Sequence, residues 1–167
     1  IIMYSGMTPS AYSLQKKIRK FVNEELIPWE VHAEMNNGEI PKEIESKHRK
    51  IAASFGLSGM GVSKEVGGLN LSMFEQMIVW EQLGRVTNAL SWCFSEAQDW
   101  MEENFTTDQK NRYLKPLLNG DKRECYAITE KGAGSDVDGS INTTAELVDD
   151  HYKINGEKWY VTSANKA

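Results

Sequence analysis

The chain has 167 residues, 40% of them hydrophobic and 26% charged, and its formal net charge is −5. These values predict a globular protein with one domain, or one domain and part of another, and they argue against disorder. The acidic balance, with no basic stripe interleaved with aromatic residues, argues against nucleic-acid binding. No apolar run approaches the roughly 20 residues of a membrane-spanning helix, and no segment resembles a secretory signal.

The spacing of cysteines and histidines predicts neither a disulfide framework nor a metal site. Cys93 and Cys125 lie far apart in apolar surroundings, which favours a reducing compartment. His32, His48 and His151 have no ligand partner at helical spacing, so we expect no bound metal.

Helical patterns fill the first two thirds of the chain. Thr8 and Pro9 are the residue types of an N-cap and a first helical position, and an apolar face follows as far as Pro28, where we expect the helix to end. A second helix is predicted from Pro41 to Gly56. The glycine-rich segment 56–71 predicts turns rather than a regular element.

Two further helices are predicted in the middle of the chain. Ser72 and Glu75 have the spacing of a capping box and start a helix that runs to Gly84. A fourth helix is predicted from Asn88 to Asn104. The tryptophans of this region are interpreted as core residues that pack helix against helix, namely Trp80, Trp92 and Trp100.

The periodicity changes after a fifth helix. Thr106 and Gln109 again have capping-box spacing, and the helix that they start is predicted to end by Gly120. Alternating patterns then predict four strands, which are Glu124–Thr129, Asn142–Leu147, His151–Ile154 and Lys158–Thr162. Asn155-Gly156 between the last two is a strong hairpin-turn signal. A few strands make a poor independent sheet, so we expect more strands beyond residue 167.

The stretch from Tyr126 to Gly139, YAITEKGAGSDVDG, is the most informative motif. Glycines let the backbone approach an oxyanion and Ser135 adds a hydroxyl donor, so this order suits a phosphate site; a surface turn is the alternative. A Rossmann motif is excluded because Val137 stands where a third glycine is needed and strand signals follow. No GKS or GKT follows, which excludes a nucleoside-triphosphate loop.

The same motif resembles the signature of the acyl-CoA dehydrogenase family. Residues 127–139 match its alanine, aliphatic residue, threonine, glutamate, small residue, glycine, serine, aspartate and final glycine at the expected spacing. Other segments are similar to the family too, namely EVGGLNLS at 65–72, DQKNRYLKPLL at 108–118 and INGEKWYVT at 154–162. The chain therefore resembles the N-terminal part of such an enzyme.

The resemblance implies an α+β fold, with an all-α helical domain over residues 1–121 and the first strands of a β-barrel domain over residues 122–167. The family takes two hydrogens from Cα and Cβ of an acyl-CoA thioester, with FAD as hydride acceptor, and usually passes electrons to an electron-transfer flavoprotein. The resemblance further implies a homo-oligomer in the bacterial or archaeal cytoplasm or in the mitochondrial matrix. The catalytic base belongs to the family's C-terminal domain, so we expect no catalytic residue in this chain.

The resemblance also assigns FAD-binding roles to residues of two motifs, which are Tyr126, Ile128, Thr129, Gly134, Ser135, Tyr160 and Thr162. Thr129 is expected to hydrogen-bond the pyrimidine side of the flavin, and Ser135 to lie near the pyrophosphate and the CoA portion of the substrate. Tyr160 is expected to stack on the flavin, and the Thr162 hydroxyl to reach its N5 atom. Because residues two apart share one face of a strand, Tyr160 and Thr162 are predicted to point the same way.

The charged residues near these motifs are interpreted as mostly structural. Asp136 has the residue type of a turn cap, and Glu130 is likewise expected to be structural. Lys131 replaces the family's usual proline, and either holds a phosphate or is simply solvated. Glu102 and Glu103 are adjacent on a helix, which favours a solvated face over a catalytic pair.

Two other functions remain open. An oxidase of the same superfamily, acting on acyl-CoA or on nitroalkanes, would keep the fold and hand its electrons to oxygen. A non-catalytic acyl-CoA-binding or assembly module would keep the fold without the chemistry, and Thr129, Ser135 and Thr162 argue against it.

Overall fold

The computed structural model describes residues 7–167, whose contacts divide the chain into two compact units. The first unit ends at Lys122 and is helical, and the second, Arg123–Ala167, contains one β-hairpin. The fold class is therefore α+β, as predicted. Within the described residues, no helix has the length and apolar character needed to cross a bilayer.

The first helix begins where the sequence predicts. The predicted end at Pro28 is wrong, because helical turns continue beyond that residue. α1 (Pro9–Phe21) is capped by the Thr8 hydroxyl, which accepts a hydrogen bond from the Ala11 N–H at 3.2 Å. The chain then continues through a π-helical turn, a 3-10 turn that contains Pro28 and a short helix, which are Val22–Leu26, Ile27–Trp29 and α2 (Glu30–Met35). Pro28 lies in the first turn of the 3-10 segment, where its missing N–H breaks no hydrogen bond.

The next two helices confirm their predicted limits. α3 (Lys42–Ser54) follows Pro41 and ends before Gly56, whose φ of 71° is left-handed. The segment 56–71 forms turns, including two short 3-10 turns. α4 (Met73–Leu83) has both bonds of the capping box, from the Glu75 N–H to Ser72 Oγ at 3.3 Å and from the Ser72 N–H to Glu75 Oε2 at 3.0 Å.

The predicted fourth helix is wrong over most of its length. Only α5 (Asp99–Asn104) is helical, and residues 88–98 are irregular. Asn88 and Ala89 both have a φ of 54°, which a right-handed helix cannot accommodate. The Ala97 N–H donates to the carbonyl of Ser58 at 2.7 Å. This N–H is therefore bonded to a distant turn and not to a carbonyl of the preceding helical turn.

The fifth helix is confirmed, with a π-helical turn in its middle. Thr106 and Gln109 form both bonds of their capping box, and the Gly120 φ of 76° follows the last turn. The helical segments between Thr106 and Gly120 are α6 (Thr107–Gln109), the π-helical turn Lys110–Leu114 and α7 (Lys115–Leu118).

Two apolar clusters stabilise the helical unit. The first joins α1, α3 and α4, with Ile18, Ala52 and Leu83 at 0% exposure. The second packs Leu114 and Leu118 against Val62 of the turn segment. Burial of such aliphatic side chains contributes roughly 1.5–3 kcal/mol for each residue.

The tryptophans predicted to be core residues lie at the surface of the described chain. Trp80, Trp92 and Trp100 are 39%, 65% and 52% exposed. Trp80 lies against the Phe94 ring, with 6.0 Å between centroids, and Trp100 meets Phe105 edge-on at 5.6 Å. The prediction of core positions is therefore wrong; it rested on the aromatic residue type, which does not tell which face of a helix the core covers.

The second unit contains one antiparallel hairpin, placed differently from the prediction. β1 (Thr144–Val148) pairs with β2 (His151–Asn155), so Asp149 and Asp150 form the turn. The predicted turn at Asn155-Gly156 is therefore wrong. A Cβ on Gly156 would lie 2.7 Å from the Cα of Thr143, so glycine at this position allows two backbone segments to approach closely.

The outer two predicted strands, 124–129 and 158–162, are irregular in the described structure. A single backbone hydrogen bond joins them, from the Trp159 N–H to the carbonyl of Thr129 at 2.8 Å. A strand requires a series of such bonds to a neighbour, and one bond does not make a ladder. The segments are thus adjacent without forming a sheet.

Candidate functional site

The two motif segments of the second unit are 126–139, the first motif, and 154–162, the second motif. They meet along residues 128–130 and 158–159. The Trp159 N–H donates to the carbonyl of Thr129 at 2.8 Å. The Lys158 ammonium donates to the carbonyl of Ile128 at 2.9 Å and to Glu130 Oε1 at 2.8 Å. Two predicted site residues, Ile128 and Thr129, are therefore tied by their backbones to the segment that carries Tyr160.

Glu130 is buried and highly connected, which confirms its predicted structural role. Its carboxylate accepts the backbone N–H groups of Asn142 at 2.7 Å and Thr143 at 3.0 Å as well as the Lys158 ammonium. Lys158 is the largest cause of the low pKa of Glu130, about 2, and the backbone donors lower the pKa further. The carboxylate is thus ionised at neutral pH and holds three chain segments together.

We call residues 130–140 the glycine loop. Reciprocal backbone bonds of 3.0 and 3.1 Å between Glu130 and Ala133 form a tight turn at its start. At its far end, Asp136 accepts the Gly139 N–H at 3.2 Å and the Ser140 hydroxyl at 2.7 Å. The prediction that Asp136 caps a turn is confirmed.

Between those two anchors the loop offers free donors. A Cβ placed on Gly134 would have no heavy atom within 4 Å. Neither the N–H groups of Gly134 and Ser135 nor the Ser135 hydroxyl form a hydrogen bond within the part of the chain that the structure describes. Free N–H and O–H donors that face open space are what an oxyanion needs in order to bind.

Aromatic residues flank the junction of the two segments in sequence. Tyr126 and Tyr160 are 78% and 84% exposed, and the Trp159 ring meets Tyr160 at 86° with 5.8 Å between centroids. Tyr160 has a φ of 58°, and Thr162 lies in an exposed turn. The expectation that Tyr160 and Thr162 share a strand face is wrong, because their segment is not a strand.

Lys131 projects toward an aromatic ring. Its ammonium lies 6.0 Å from the centroid of the Trp159 indole, at the outer limit of a cation–π contact, and the residue is exposed. This position leaves the Lys131 charge accessible within the glycine loop, so the phosphate-holding role stays a prediction.

Lys158 is the residue of this site that sequence reasoning did not single out. Glu130 could have pointed to it, because a carboxylate that is buried between two structured segments needs a cation beside it. Lys158 stands in the second motif and supplies that charge, with a side chain only 22% exposed.

Comparison with known proteins identifies the family. Residues 8–121 match the acyl-CoA dehydrogenase N-terminal domain, and residues 125–167 match the acyl-CoA dehydrogenase middle domain. The chain therefore belongs to the acyl-CoA dehydrogenase family, a family of FAD-dependent flavoproteins.

Individual relatives are similar over most of this chain. A subunit of the caffeyl-CoA reductase–Etf complex of Acetobacterium woodii is 33% identical over 90% of this chain and 40% of its own length. The short-chain specific acyl-CoA dehydrogenase of Clostridium acetobutylicum is 32% identical over 97% of this chain and 42% of its own. The chain thus spans about two fifths of the length of these curated relatives.

A solved structure gives the same result for the fold. The acyl-CoA dehydrogenase of Bacillus anthracis, crystallised in complex with FAD, aligns with all of this chain and with 29% of its own, at 26% identity and a TM-score of 0.77.

Proposed function

We propose that this chain is the N-terminal portion of an FAD-dependent acyl-CoA dehydrogenase and that it supplies part of the flavin site. The observation that carries the proposal is the 2.8 Å bond from the Trp159 N–H to the carbonyl of Thr129, because it joins the two motifs to which the family resemblance assigns FAD binding. In this proposal residues 1–121 are the helical domain and residues 122–167 begin the middle domain. The contact division after Lys122 supports that boundary.

The residues present fit FAD. The unused donors of Gly134 and Ser135 suit a pyrophosphate, and the exposed rings of Tyr126 and Tyr160 offer apolar surface to a flavin. Ile128 presents its backbone at the same junction, where its carbonyl is already held by Lys158.

FAD, when bound, supplies the acceptor for the hydride that leaves Cβ of the acyl-CoA. Thr129 would donate a hydrogen bond to the pyrimidine side of the ring, where negative charge develops. Thr162 would place its hydroxyl at N5, and Tyr160 would cover the ring face and exclude water. Ser135 would hold a phosphate oxygen and contact the CoA portion of the substrate. The base that removes the α proton would come from a C-terminal domain, so this chain alone would be inactive.

The partners follow from the same proposal. The substrate would be an acyl-CoA thioester, and the electron acceptor an electron-transfer flavoprotein, in keeping with the relative named for its complex with Etf. The complete protein would be a homo-oligomer. It would act in the bacterial or archaeal cytoplasm or in the mitochondrial matrix, in keeping with relatives from bacteria and from mitochondria.

Flavin reduction tests the proposal directly. The full-length protein should purify with the visible absorption of oxidised flavin, and either butyryl-CoA or palmitoyl-CoA should bleach that absorption without oxygen. Reoxidation by electron-transfer flavoprotein should then outpace reoxidation by air; the reverse order would assign an oxidase. A colourless protein that takes up no FAD would contradict both enzyme functions and favour a non-catalytic module.

A pair of threonine variants tests the role of the second motif. Thr162→Val removes a hydroxyl proposed to contact the flavin, and we expect flavin reduction to slow about tenfold or more. Thr144→Val is the matched control, since Thr144 is an exposed residue of β1. Equal reduction rates in both variants would remove Thr162 from the site.

A further inference from the structure

One side chain joins three separate stretches of the second unit. The Glu130 carboxylate accepts hydrogen bonds from Asn142, Thr143 and Lys158, which are 12, 13 and 28 positions away in sequence. Its side chain is 7% exposed, so little water competes for these donors. Bonds to an ionised acceptor are about twice as strong as bonds between neutral groups.

Lys158 extends this connection to the first motif. Its ammonium bonds both Glu130 Oε1 and the carbonyl of Ile128, and the next residue, Trp159, bonds the carbonyl of Thr129. Three consecutive residues of the first motif are therefore held by two consecutive residues of the second. Because the two segments form no strand ladder, these bonds replace the register that a sheet would impose.

We infer that Glu130 and Lys158 are positioning residues, which hold the first motif and the Tyr160–Thr162 segment at the spacing that a bound flavin requires. The inference rests on the proposed function, and it assigns these two residues no contact with flavin or substrate. Their effect on the flavin passes through Thr129 on one side and Tyr160 on the other. Loss of either charge should loosen the two motifs from each other while their flavin-contacting side chains stay intact.

The alternative is that the pair stabilises the second unit without affecting the flavin. The two roles differ in one measurable respect. A purely structural pair would change the stability of the flavin-free protein and leave the affinity for FAD unaltered in molecules that remain folded. A positioning pair changes the affinity for FAD, and the polarity around the flavin, in those same molecules.

The test uses the full-length protein with its FAD removed and added back. Glu130→Gln keeps the shape of the side chain without its charge, Lys158→Met removes the ammonium, and Lys158→Arg restores a cation. FAD affinity is measured by fluorescence titration, and the shape of the visible flavin band reports the environment of the ring. Circular dichroism of each flavin-free variant shows whether it is folded.

The hairpin provides a matched control pair. Glu146 and Lys153 face each other across β1 and β2, and both are exposed. Glu146→Gln and Lys153→Met make the same chemical changes in the same unit, at residues that form none of the bonds between 128–130 and 158–159. We expect less than a twofold change in FAD affinity from either of them.

We expect Glu130→Gln and Lys158→Met each to weaken FAD binding roughly tenfold or more, with altered flavin bands. The double variant should lose less than the product of the two single losses, since the residues act as one unit. Lys158→Arg should recover most of the affinity. If Glu130→Gln fails to fold, Lys158→Met decides the matter, because Glu130 keeps its two backbone donors in that variant.

Wild-type affinity for FAD in both folded charge variants would overturn the positioning role and leave the proposed function standing. A wild-type protein that binds no FAD at all would overturn the proposed function and, with it, this inference. Equal losses in the hairpin controls would also overturn the inference, because the effect would then be one of general charge.

Discussion

His48 is the clearest case in which one buried group sets a property of the whole helical unit. It lies in α3 at 0% exposure, with its ring edge-on to Phe21 at 6.4 Å between centroids. Neither ring nitrogen makes a hydrogen bond of normal geometry among the described residues, although the Glu25 backbone lies near enough to the ring to raise the His48 pKa. The nearby ion pair of Lys47 with Glu25, at 2.5 Å, supplies charges of both signs.

The sign of the pH effect follows from this environment. Burial is the largest cause of the lowered pKa of His48; Glu25 opposes that shift and Lys47 adds to it. Below about pH 6.5, the ordinary value, the unfolded chain binds a proton that the folded chain resists. Stability is therefore fully present above that pH and falls on acidification. Between pH 7.5 and 5.5 the loss has a ceiling of about 1.4 kcal/mol.

The substitution His48→Leu should remove both the unpaired nitrogens and this pH dependence. A buried polar group without a partner costs about 1–3 kcal/mol, and some of that gain is offset by repacking around a slightly larger side chain. We therefore expect His48→Leu to raise the free energy of unfolding by about 1 kcal/mol at pH 7.5. The gain should grow on acidification to pH 5.5.

Urea unfolding at the two pH values, followed by circular dichroism, measures these differences. His32→Leu is the control, because His32 is exposed beside Trp29 and its removal should change stability by less than about 0.5 kcal/mol. The reasoning is refuted if His48→Leu lowers stability at pH 7.5 or if the variant loses as much stability on acidification as the wild type.

Three smaller predictions concern the core, a helix cap and the glycine loop. Ile18→Ala should cost about 2–5 kcal/mol in urea unfolding because Ile18 is fully buried, whereas Val31→Ala, at a position 76% exposed, should cost less than about 0.5 kcal/mol. Ser72→Ala removes the cap of α4 and should cost about 1 kcal/mol, whereas Ser13→Ala, at an exposed position inside α1, should have no measurable cost. If Lys131 holds a phosphate, Lys131→Pro should weaken FAD binding and reduce its salt dependence; unchanged titrations at low and high salt would show that Lys131 is merely solvated.

Local signals in the sequence predicted the helix starts. The capping boxes of Ser72–Glu75 and Thr106–Gln109 need only residues three positions apart, and both form as predicted. Segment 88–98 shows the opposite case: its helical pattern yields to two residues with positive φ and to a bond from Ala97 to Ser58, 39 positions earlier. Local periodicity contains no information about such a distant acceptor.

The motif residues and the family they indicate could be determined from the sequence by itself, because a glycine, a serine and a threonine at set spacing define the donors that the loop can offer. What only the tertiary structure decided is how the two motifs are joined. Lys158 reaches Ile128 and Glu130 across 30 and 28 positions. The path of the chain brings these groups together, and the contacts stand where alternation had predicted the strands 124–129 and 158–162. Distance along the chain hides such contacts from the sequence, although a buried carboxylate requires a counter-charge nearby.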